Sequence, residues 1–197
     1  MGKTLYEKQI QDRSLLHYYL GLIPRIKKNI YLTYIRYIAR RNGAIIGENS
    51  VITIELARKA NKNLIIGNHT SVQTNALDLR APIKIGNHVI IGSDVEILTC
   101  SHNIDSTDWE FKAYGIEIED YAWIATRAFI MPSCRIIGRG SVCGGGSVVV
   151  KNVNEMSVVS GNPAEHIKNR KQVHSDLIVE SLLGGDYKQY ITTRKNK

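Results

Sequence analysis

The side chains best suited to catalysis lie in one polar segment near the middle of the chain. His102 is followed within seven residues by Asp105, Asp108 and Trp109. Histidine suits a general base because its ordinary pKa, about 6.5, lies close to neutral pH. A carboxylate bonded to the other ring nitrogen can orient such a base. On residue types alone, His102 is a candidate general base that Asp105 could orient, or it is an ordinary solvated loop residue, and both aspartates could instead form turns.

Cys100 offers a second chemistry beside His102, either as a nucleophile or as half of a metal-binding pair. A zinc site needs three or four protein ligands, and no second pair of ligands stands nearby in the sequence. The three cysteines also lack the spacing of a disulfide framework. The sequence therefore predicts no metal site.

A regular repeat surrounds the polar segment, and the segment interrupts it. An aliphatic residue or cysteine recurs every six residues, with two steps of seven, and the residue four positions after an uninterrupted rung is always small. A period of six does not fit a helix; it predicts a parallel β-solenoid with three short strands in each coil of roughly eighteen residues. The predicted rungs are Ile46, Ile52, Ile66, Val72, Leu79, Ile85, Ile91, Ile97, Ile118, Ile124, Ile130, Ile137, Cys143 and Val149.

Three segments carry a resemblance to a known family: ILTCSHNIDSTDWEFKAYGIEIEDYAWIA, RIIGRGSVCGGGSVVVKNV and VVSGNPAEHIK. They resemble the hexapeptide-repeat acyltransferases, in particular bacterial polysaccharide O-acetyltransferases of the colanic acid and lipopolysaccharide type. The resemblance implies a left-handed parallel β-helix over residues 43–167, with an excursion loop at 102–116. It also implies a homotrimer with its sites between subunits. In such an enzyme His102 would deprotonate a sugar hydroxyl for direct attack on acetyl-CoA.

A second irregular corner, residues 73–82, precedes the excursion loop by one coil, so stacking should place the two side by side. Asn75, Asp78 and Arg80 could reach an acceptor sugar there, or Asp78 and Arg80 could pair as surface charges. Trp123 matches an acceptor-pocket tryptophan of the family, and an aromatic ring suits the apolar face of a sugar. Trp109 could serve the same purpose or anchor the loop.

The resemblance further implies a slot for coenzyme A. Segments 125–128 and 143–152 match the family's donor segments, and Lys151 matches a lysine directed at phosphate. Gly145 and Val150 stand where alanine and threonine are usual in the family. Pro163 is expected to end strand pairing where the chain leaves the β-helix. The implied donor contacts are Ala125, Thr126, Gly144, Gly145, Val150, Lys151, Pro163, Lys168 and Arg170.

The two ends of the chain do not follow the repeat. Residues 1–42 predict two helices, with a break near Gly21 to Pro24 and an end at Gly43. They could cap the β-helix, or rest on a membrane through a basic amphipathic face. Residues 168–197 predict a short helix and a basic tail.

The composition restricts the function classes further. A net charge of +8 suits a phosphate-bearing ligand or an anionic surface, but no recognisable nucleic-acid motif accompanies it. The sequence shows neither a signal peptide nor an apolar run of about 18 residues, so we expect a cytoplasmic protein, at the inner face of the membrane if it touches lipid. We expect an acetyl-CoA-dependent O-acetyltransferase acting on a surface polysaccharide or its lipid-linked precursor. The alternatives are an acetyltransferase for a drug, serine or amino sugar, and a non-catalytic scaffold.

Overall fold

The computed structural model describes residues 4–174 and 185–195, and its central unit is a left-handed parallel β-solenoid of about six turns. The predicted fold class is therefore confirmed. Sheet A orders β1 (Ile45–Ile46), β3 (Leu64–Ile66), β5 (Ile83–Ile85), β10 (Ile116–Ile118) and β13 (Ile136–Ile137). Sheet B orders β2 (Val51–Ile52), β4 (Ser71–Val72), β6 (Ile90–Ile91), β11 (Trp123–Ile124), β14 (Val142–Cys143), β16 (Ser157–Gly161) and β17 (Ala164–Asn169). Sheet C orders β7 (Glu96–Ile97), β12 (Phe129–Ile130) and β15 (Val148–Val149).

The predicted ladder is the core of the solenoid. All fourteen rungs are buried, and none exposes more than 8% of its surface. Ten of the eleven small residues four positions later are buried as well. The exception is Ser101, which is exposed because the chain has already left the coil at that point.

Glycines after the rungs allow the coils to stack closely. A Cβ on Gly67 would lie 2.7 Å from the backbone of Gly86 in the next coil, and one on Gly47 would lie 2.3 Å from the carbonyl oxygen of Gly67. Any larger residue would push the coils apart and lengthen hydrogen bonds such as that from the Gly67 amide to the Ile85 carbonyl, 2.8 Å.

The excursion loop is an antiparallel β-hairpin. Its strands are β8 (Cys100–His102) and β9 (Phe111–Ala113), in which His102 pairs with Phe111. The chain leaves the solenoid after β7 and rejoins it at β10. The predicted loop therefore has defined secondary structure at its base.

Four described helices flank the solenoid: α1 (Leu5–Gln11), α2 (Leu15–Arg41), α3 (Ile54–Lys59) and α4 (Tyr187–Lys195). Side chains of one α2 face, Leu32, Ile35 and Ala39, join the core of the first coils. The helix α3 follows β2, at the point where later coils form a strand of sheet C.

The predicted break near Gly21 to Pro24 was wrong, because α2 runs without interruption through Pro24. The Arg25 guanidinium donates to the Gly21 carbonyl across this turn, at 2.8 Å, and stacks on the Tyr190 ring 4.0 Å away. Gly21 instead makes room for α4, since a Cβ there would lie 2.6 Å from the Tyr190 hydroxyl. The actual break lies between α1 and α2, where Ser14 caps the second helix.

Pro163 does not end strand pairing, which is a second correction. It lies in the turn between β16 and β17, and antiparallel pairing continues from Gly161–Ala164 to Ser157–Asn169. Pro163 itself forms no pair, because it occupies the turn, where its missing amide costs no ladder hydrogen bond.

Adjacent residues of β13 provide a test of the ladder. Ile137 is completely buried, whereas its neighbour Ile136 is 44% exposed. We expect Ile137→Ala to lower the free energy of unfolding by about 2–5 kcal/mol through loss of contacts and a cavity. Ile136→Ala should cost less than about 1 kcal/mol. Chemical denaturation measures both, and equal costs would contradict the inward register of this strand.

Candidate active site

His102 ends the first strand of the hairpin, and its ring lies between two aromatic side chains. The Trp109 ring stacks on it with centroids 5.0 Å apart and planes inclined by 21°. Phe111, its partner across the hairpin, presents its edge at 5.8 Å. The imidazole is half-buried, so one part of the ring still faces solvent.

A backbone carbonyl fixes the orientation of the imidazole. The Nδ1 atom of His102 lies 2.7 Å from the carbonyl oxygen of Trp109. A carbonyl can only accept, so Nδ1 carries the hydrogen and the neutral ring keeps its lone pair on Nε2. Within the part of the chain that the structure describes, Nε2 has no hydrogen-bond partner. The geometry is that of a general base ready to receive a proton.

The sequence assigned this orienting role to Asp105, and the structure gives it to the Trp109 carbonyl. The Asp105 side chain is exposed and forms no hydrogen bond or ion pair with any described residue. Its amide donates to the Asn103 side-chain oxygen at 3.2 Å, which makes a tight turn at the hairpin tip.

The backbone conformation of Trp109 brings its carbonyl oxygen to the His102 ring. Its φ of 54° places it in the left-handed region, which bulky residues rarely adopt. Hydrogen bonds on both sides stabilise this turn, from the Trp109 amide to the Ser106 carbonyl and from the Asn103 amide to the Glu110 carbonyl. Sequence reasoning singled out the Trp109 ring, but no residue pattern signals what a backbone oxygen will contact.

The irregular corner of residues 73–82 lies against the base of the hairpin, as predicted. Asp78 forms a bidentate ion pair with Arg80, at 2.7 and 3.0 Å, and also accepts from the Thr99 amide at 3.2 Å. Thr99 immediately precedes the hairpin, and its hydroxyl donates to the Asp78 carbonyl. The Arg80 guanidinium lies 5.8 Å from the centre of the Phe111 ring. Asp78 and Arg80 therefore pair with each other and anchor the hairpin.

Two other predicted acceptor residues lie outside this cluster. Asn75 is exposed, and the structure gives its side chain no contact with the hairpin. Trp123 lies on the outer face of sheet B, between Ile90 and Val142 of the neighbouring coils, and is 44% exposed. Within one chain, then, the structure brings together His102, Trp109, Phe111 and Arg80.

The predicted donor residues occupy two edges of the solenoid. Ala125, Thr126, Gly144 and Gly145 lie at the edge between sheets B and C, where the Gly146 amide donates to the Thr126 carbonyl at 3.1 Å. Gly145 is exposed, and a Cβ there would lie 3.3 Å from the Thr126 carbonyl oxygen. Thr126 is exposed at this edge as well.

The second edge, between sheets C and A, carries Val150 and Lys151. Backbone hydrogen bonds connect it from coil to coil, from the Leu98 amide to the Ile130 carbonyl and from the Met131 amide to the Val149 carbonyl. The hairpin leaves the solenoid at this same edge, two coils before Lys151. The exposed Lys151 and the catalytic candidate therefore share one edge.

Arg170, a predicted donor contact, binds backbone carbonyls within the described chain. Its guanidinium donates to the carbonyls of Tyr121 and Gly140 at 3.3 and 3.2 Å and lies 3.2 Å from Nδ1 of His174. The chain folds back after β17, so this residue binds the corner between sheets A and B. Burial lowers the pKa of its guanidinium. Lys168 is exposed in β17, opposite Val158.

Two of the three cysteines, Cys134 and Cys143, are poor nucleophiles in this structure. Burial raises the pKa of the Cys134 thiol to about 11 and that of Cys143 to about 12. Both therefore remain protonated near neutral pH. The described residues contain no group of three or more histidine, cysteine, aspartate or glutamate side chains that could hold a metal ion.

The anchor formed by Asp78 gives a pH-dependent prediction. The hydrogen bonds from Arg80 lower the pKa of Asp78 strongly; burial opposes them and the Thr99 amide adds to them. A carboxylate whose pKa is lower in the folded state stabilises the fold above its unfolded pKa of about 4, and this contribution disappears as the pH falls further. We expect Asp78→Asn to lower the melting temperature at pH 7, and the difference from the wild type to shrink progressively as the pH falls below about 4.

Asp105→Asn is the matched control, because that carboxylate has no partner among the described residues and should leave the melting temperature unchanged. Circular dichroism at several pH values measures all three proteins. A difference between Asp78→Asn and the wild type that is constant with pH would show that the ion pair contributes no stability.

Comparison with known proteins shows which family the chain belongs to. The chain matches no protein-family model. It is 33% identical over 135 residues to the putative colanic acid biosynthesis acetyltransferase WcaF of Escherichia coli K12, covering 68% of this chain and 74% of that protein. It is 38% identical over 96 residues to a putative acetyltransferase of Schizosaccharomyces pombe, but spans only 44% of that protein's length.

A solved structure shows the same fold. The hexapeptide-repeat acetyltransferase of Vibrio cholerae superposes with a TM-score of 0.64 at 24% identity, covering 86% of this chain and 95% of that one. A second structure of that protein, with a TM-score of 0.54, contains acetyl coenzyme A. Given the six-residue ladder, the hairpin histidine and the match to WcaF, the chain belongs to the hexapeptide-repeat acetyltransferases, enzymes built on the left-handed β-helix.

Proposed function

We propose that the protein transfers an acetyl group from acetyl-CoA to a hydroxyl of a sugar, in a surface polysaccharide or its lipid-linked precursor. The observation that carries the proposal is His102, whose Nδ1 is bonded to the Trp109 carbonyl while Nε2 remains open to a substrate. The relationship to a protein named for colanic acid biosynthesis supports the sugar acceptor. Acetyl-CoA in the related Vibrio structure supports the donor.

The reaction follows from the tautomer of His102. Nε2 accepts the hydroxyl proton while the acceptor oxygen attacks the thioester carbonyl, forming the new carbon–oxygen bond. Backbone amides along the solenoid edge would stabilise the tetrahedral oxyanion. Collapse of that intermediate breaks the carbon–sulfur bond, and the imidazolium returns its proton to the leaving thiolate of coenzyme A. In this proposal attack is direct: the thiols of Cys134 and Cys143 are protonated and distant from the hairpin, and Cys100 is buried.

The aromatic side chains around His102 suit a sugar. The exposed ring faces of Trp109 and Phe111 offer apolar surface to the C–H face of a pyranose. Arg80 keeps a largely exposed guanidinium beside Phe111. It can donate to sugar hydroxyls while its contact with Asp78 remains. Asp105, exposed at the hairpin tip, is available to a bound acceptor rather than to the His102 ring.

The donor would lie along the solenoid edges that carry Thr126, Gly145 and Lys151. The exposed edge at Thr126 and Gly145 leaves room for the pantetheine arm, and Lys151 suits a phosphate. The outward apolar row of Ile90, Trp123 and Val142 on sheet B supports a homotrimer with sites between subunits. Trp123 would then approach the acceptor pocket from a neighbouring subunit. Acetyl-CoA supply would be cytoplasmic.

The first test is turnover by His102→Ala. We expect kcat to fall by about 10²- to 10⁴-fold, since the general base is lost, while acetyl-CoA affinity is unchanged. Thiol release from acetyl-CoA against a panel of sugars, amino sugars, serine and chloramphenicol measures turnover, and calorimetric titration measures affinity. His17→Ala, an exposed histidine at the start of α2, is the control and should retain full activity. Equal turnover by both variants would overturn the mechanism.

Lys151 tests the donor slot separately. We expect Lys151→Ala to weaken acetyl-CoA binding about tenfold, because one charge-assisted hydrogen bond to phosphate is lost. Lys84→Ala removes an equally exposed lysine from sheet A and should bind as the wild type does. Calorimetry should give one site per chain. Binding to neither acetyl-CoA nor coenzyme A by the wild type would refute the donor assignment.

A further inference from the structure

The outer face of α2 carries a long apolar stripe that nothing in the described chain covers. Six large side chains form it, each between 54% and 67% exposed: Leu16, Tyr19, Ile23, Ile30, Tyr34 and Tyr37. Their spacings of three, four and seven residues place them on one side of the helix. Isolated exposed hydrophobics are ordinary, but a continuous row of this length indicates an interaction surface.

The stripe cannot be buried by rotation of the helix, because the opposite face is already packed. Leu32, Ile35 and Ala39 belong to the solenoid core. Nearer the start of the helix, Tyr18 stacks on Tyr190 of α4, with centroids 4.9 Å apart. At about 100° per residue, Ile23 and Ile30 point away from this packed face. The helix is therefore apolar on two sides, of which one faces solvent.

The charge of α2 is entirely positive. Its 27 residues include six lysines and arginines and no acidic residue. Some of these cations bind the protein itself, as when Arg36 donates to the Ser50 carbonyl and Arg40 to the Ile46 carbonyl. Lys27 and Arg41 remain exposed beside the stripe. Two copies of this face would bring cations together with no carboxylate between them, whereas an anionic surface would neutralise them.

The length and composition of the stripe match the surface of a bilayer. From Leu16 to Tyr37 it spans roughly 32 Å at a rise of 1.5 Å per residue. No helix in the described part of the chain is long and apolar enough to cross a membrane. Tyrosines with flanking lysine and arginine are the residues that anchor a helix lying in the headgroup region.

We propose that the outer face of α2 binds the surface of an anionic phospholipid bilayer, with the helix parallel to the membrane plane. The apolar stripe enters the acyl boundary, and Lys27 and Arg41 contact the headgroup phosphates. The inference rests on α2 alone and does not require the proposed acetyl transfer. If both hold, the enzyme meets a lipid-linked acceptor at the membrane where that acceptor resides.

The test is flotation of the full-length protein with vesicles. We expect binding to equimolar phosphatidylcholine and phosphatidylglycerol, and much weaker binding to phosphatidylcholine alone. Ile23→Ser combined with Ile30→Ser should reduce the vesicle partition constant at least about tenfold. Lys27→Gln combined with Arg41→Gln should reduce it about fivefold for each charge and weaken its salt dependence.

The matched control is Ile45→Ser combined with Ile167→Ser, which makes the same change at sites 62% and 61% exposed outside α2. This protein should bind vesicles as the wild type does. Equal binding by the stripe variant, or no preference for anionic vesicles, would overturn the proposal. A lower molecular mass of the stripe variant in sedimentation, without vesicle binding by the wild type, would instead identify the face as a subunit contact.

Activity separates this proposal from the proposed function. The stripe variant should acetylate a water-soluble acceptor at the wild-type rate, because Ile23 and Ile30 lie outside the candidate active site. Vesicle binding by a wild type that shows no turnover would sink the acetyl-transfer proposal alone. Turnover without vesicle binding would sink the membrane proposal alone.

Discussion

Parallel hydrogen bonding between successive coils is the constraint on which the remaining structure depends. The amides of Gly47, Gly67 and Gly86 each donate to the carbonyl of a rung residue in the next coil, at 2.7–2.8 Å. At these three corners a Cβ would clash with the next coil, and each corner places one aliphatic rung inside. Successive coils are therefore stacked in register. A residue's place in the six-residue period then decides whether it lies in a strand or at a corner, and whether it faces the core or the solvent.

The candidate catalytic group of this chain lies in a departure from the six-residue period. The hairpin between β7 and β10 exchanges parallel for antiparallel pairing, and this exchange brings the Trp109 carbonyl to His102. Asp78 and Arg80, from the preceding coil, connect the hairpin base to the solenoid through Thr99. The solenoid thus places the hairpin at a defined edge, the same edge that carries Lys151.

Features that follow from the six-residue period could be predicted from the sequence. Contacts between residues far apart along the chain could not. The ladder, the fold class and the departure at His102 follow from local pattern. The orienting group could not be predicted, because the Trp109 carbonyl is a backbone atom and only the fold brings it to the ring. Arg170 matched a phosphate contact by position along the chain, yet the turn after β17 carries it to Tyr121 and Gly140. Pro24 indicated a break, but packing of Tyr190 and Arg25 at that turn stabilises a continuous helix.

Contacts between the N-terminal and C-terminal helices fix the position of α2. Asp186, just before α4, pairs with Arg25 of α2 at 2.8 Å and accepts a hydrogen bond from Tyr6. Burial raises the pKa of this carboxyl. Together with Tyr18 and Tyr190, the pair fixes the first half of α2, and the solenoid core fixes the second. The apolar stripe of α2 therefore has a set direction relative to the coils, because the helix that carries it is packed at both ends.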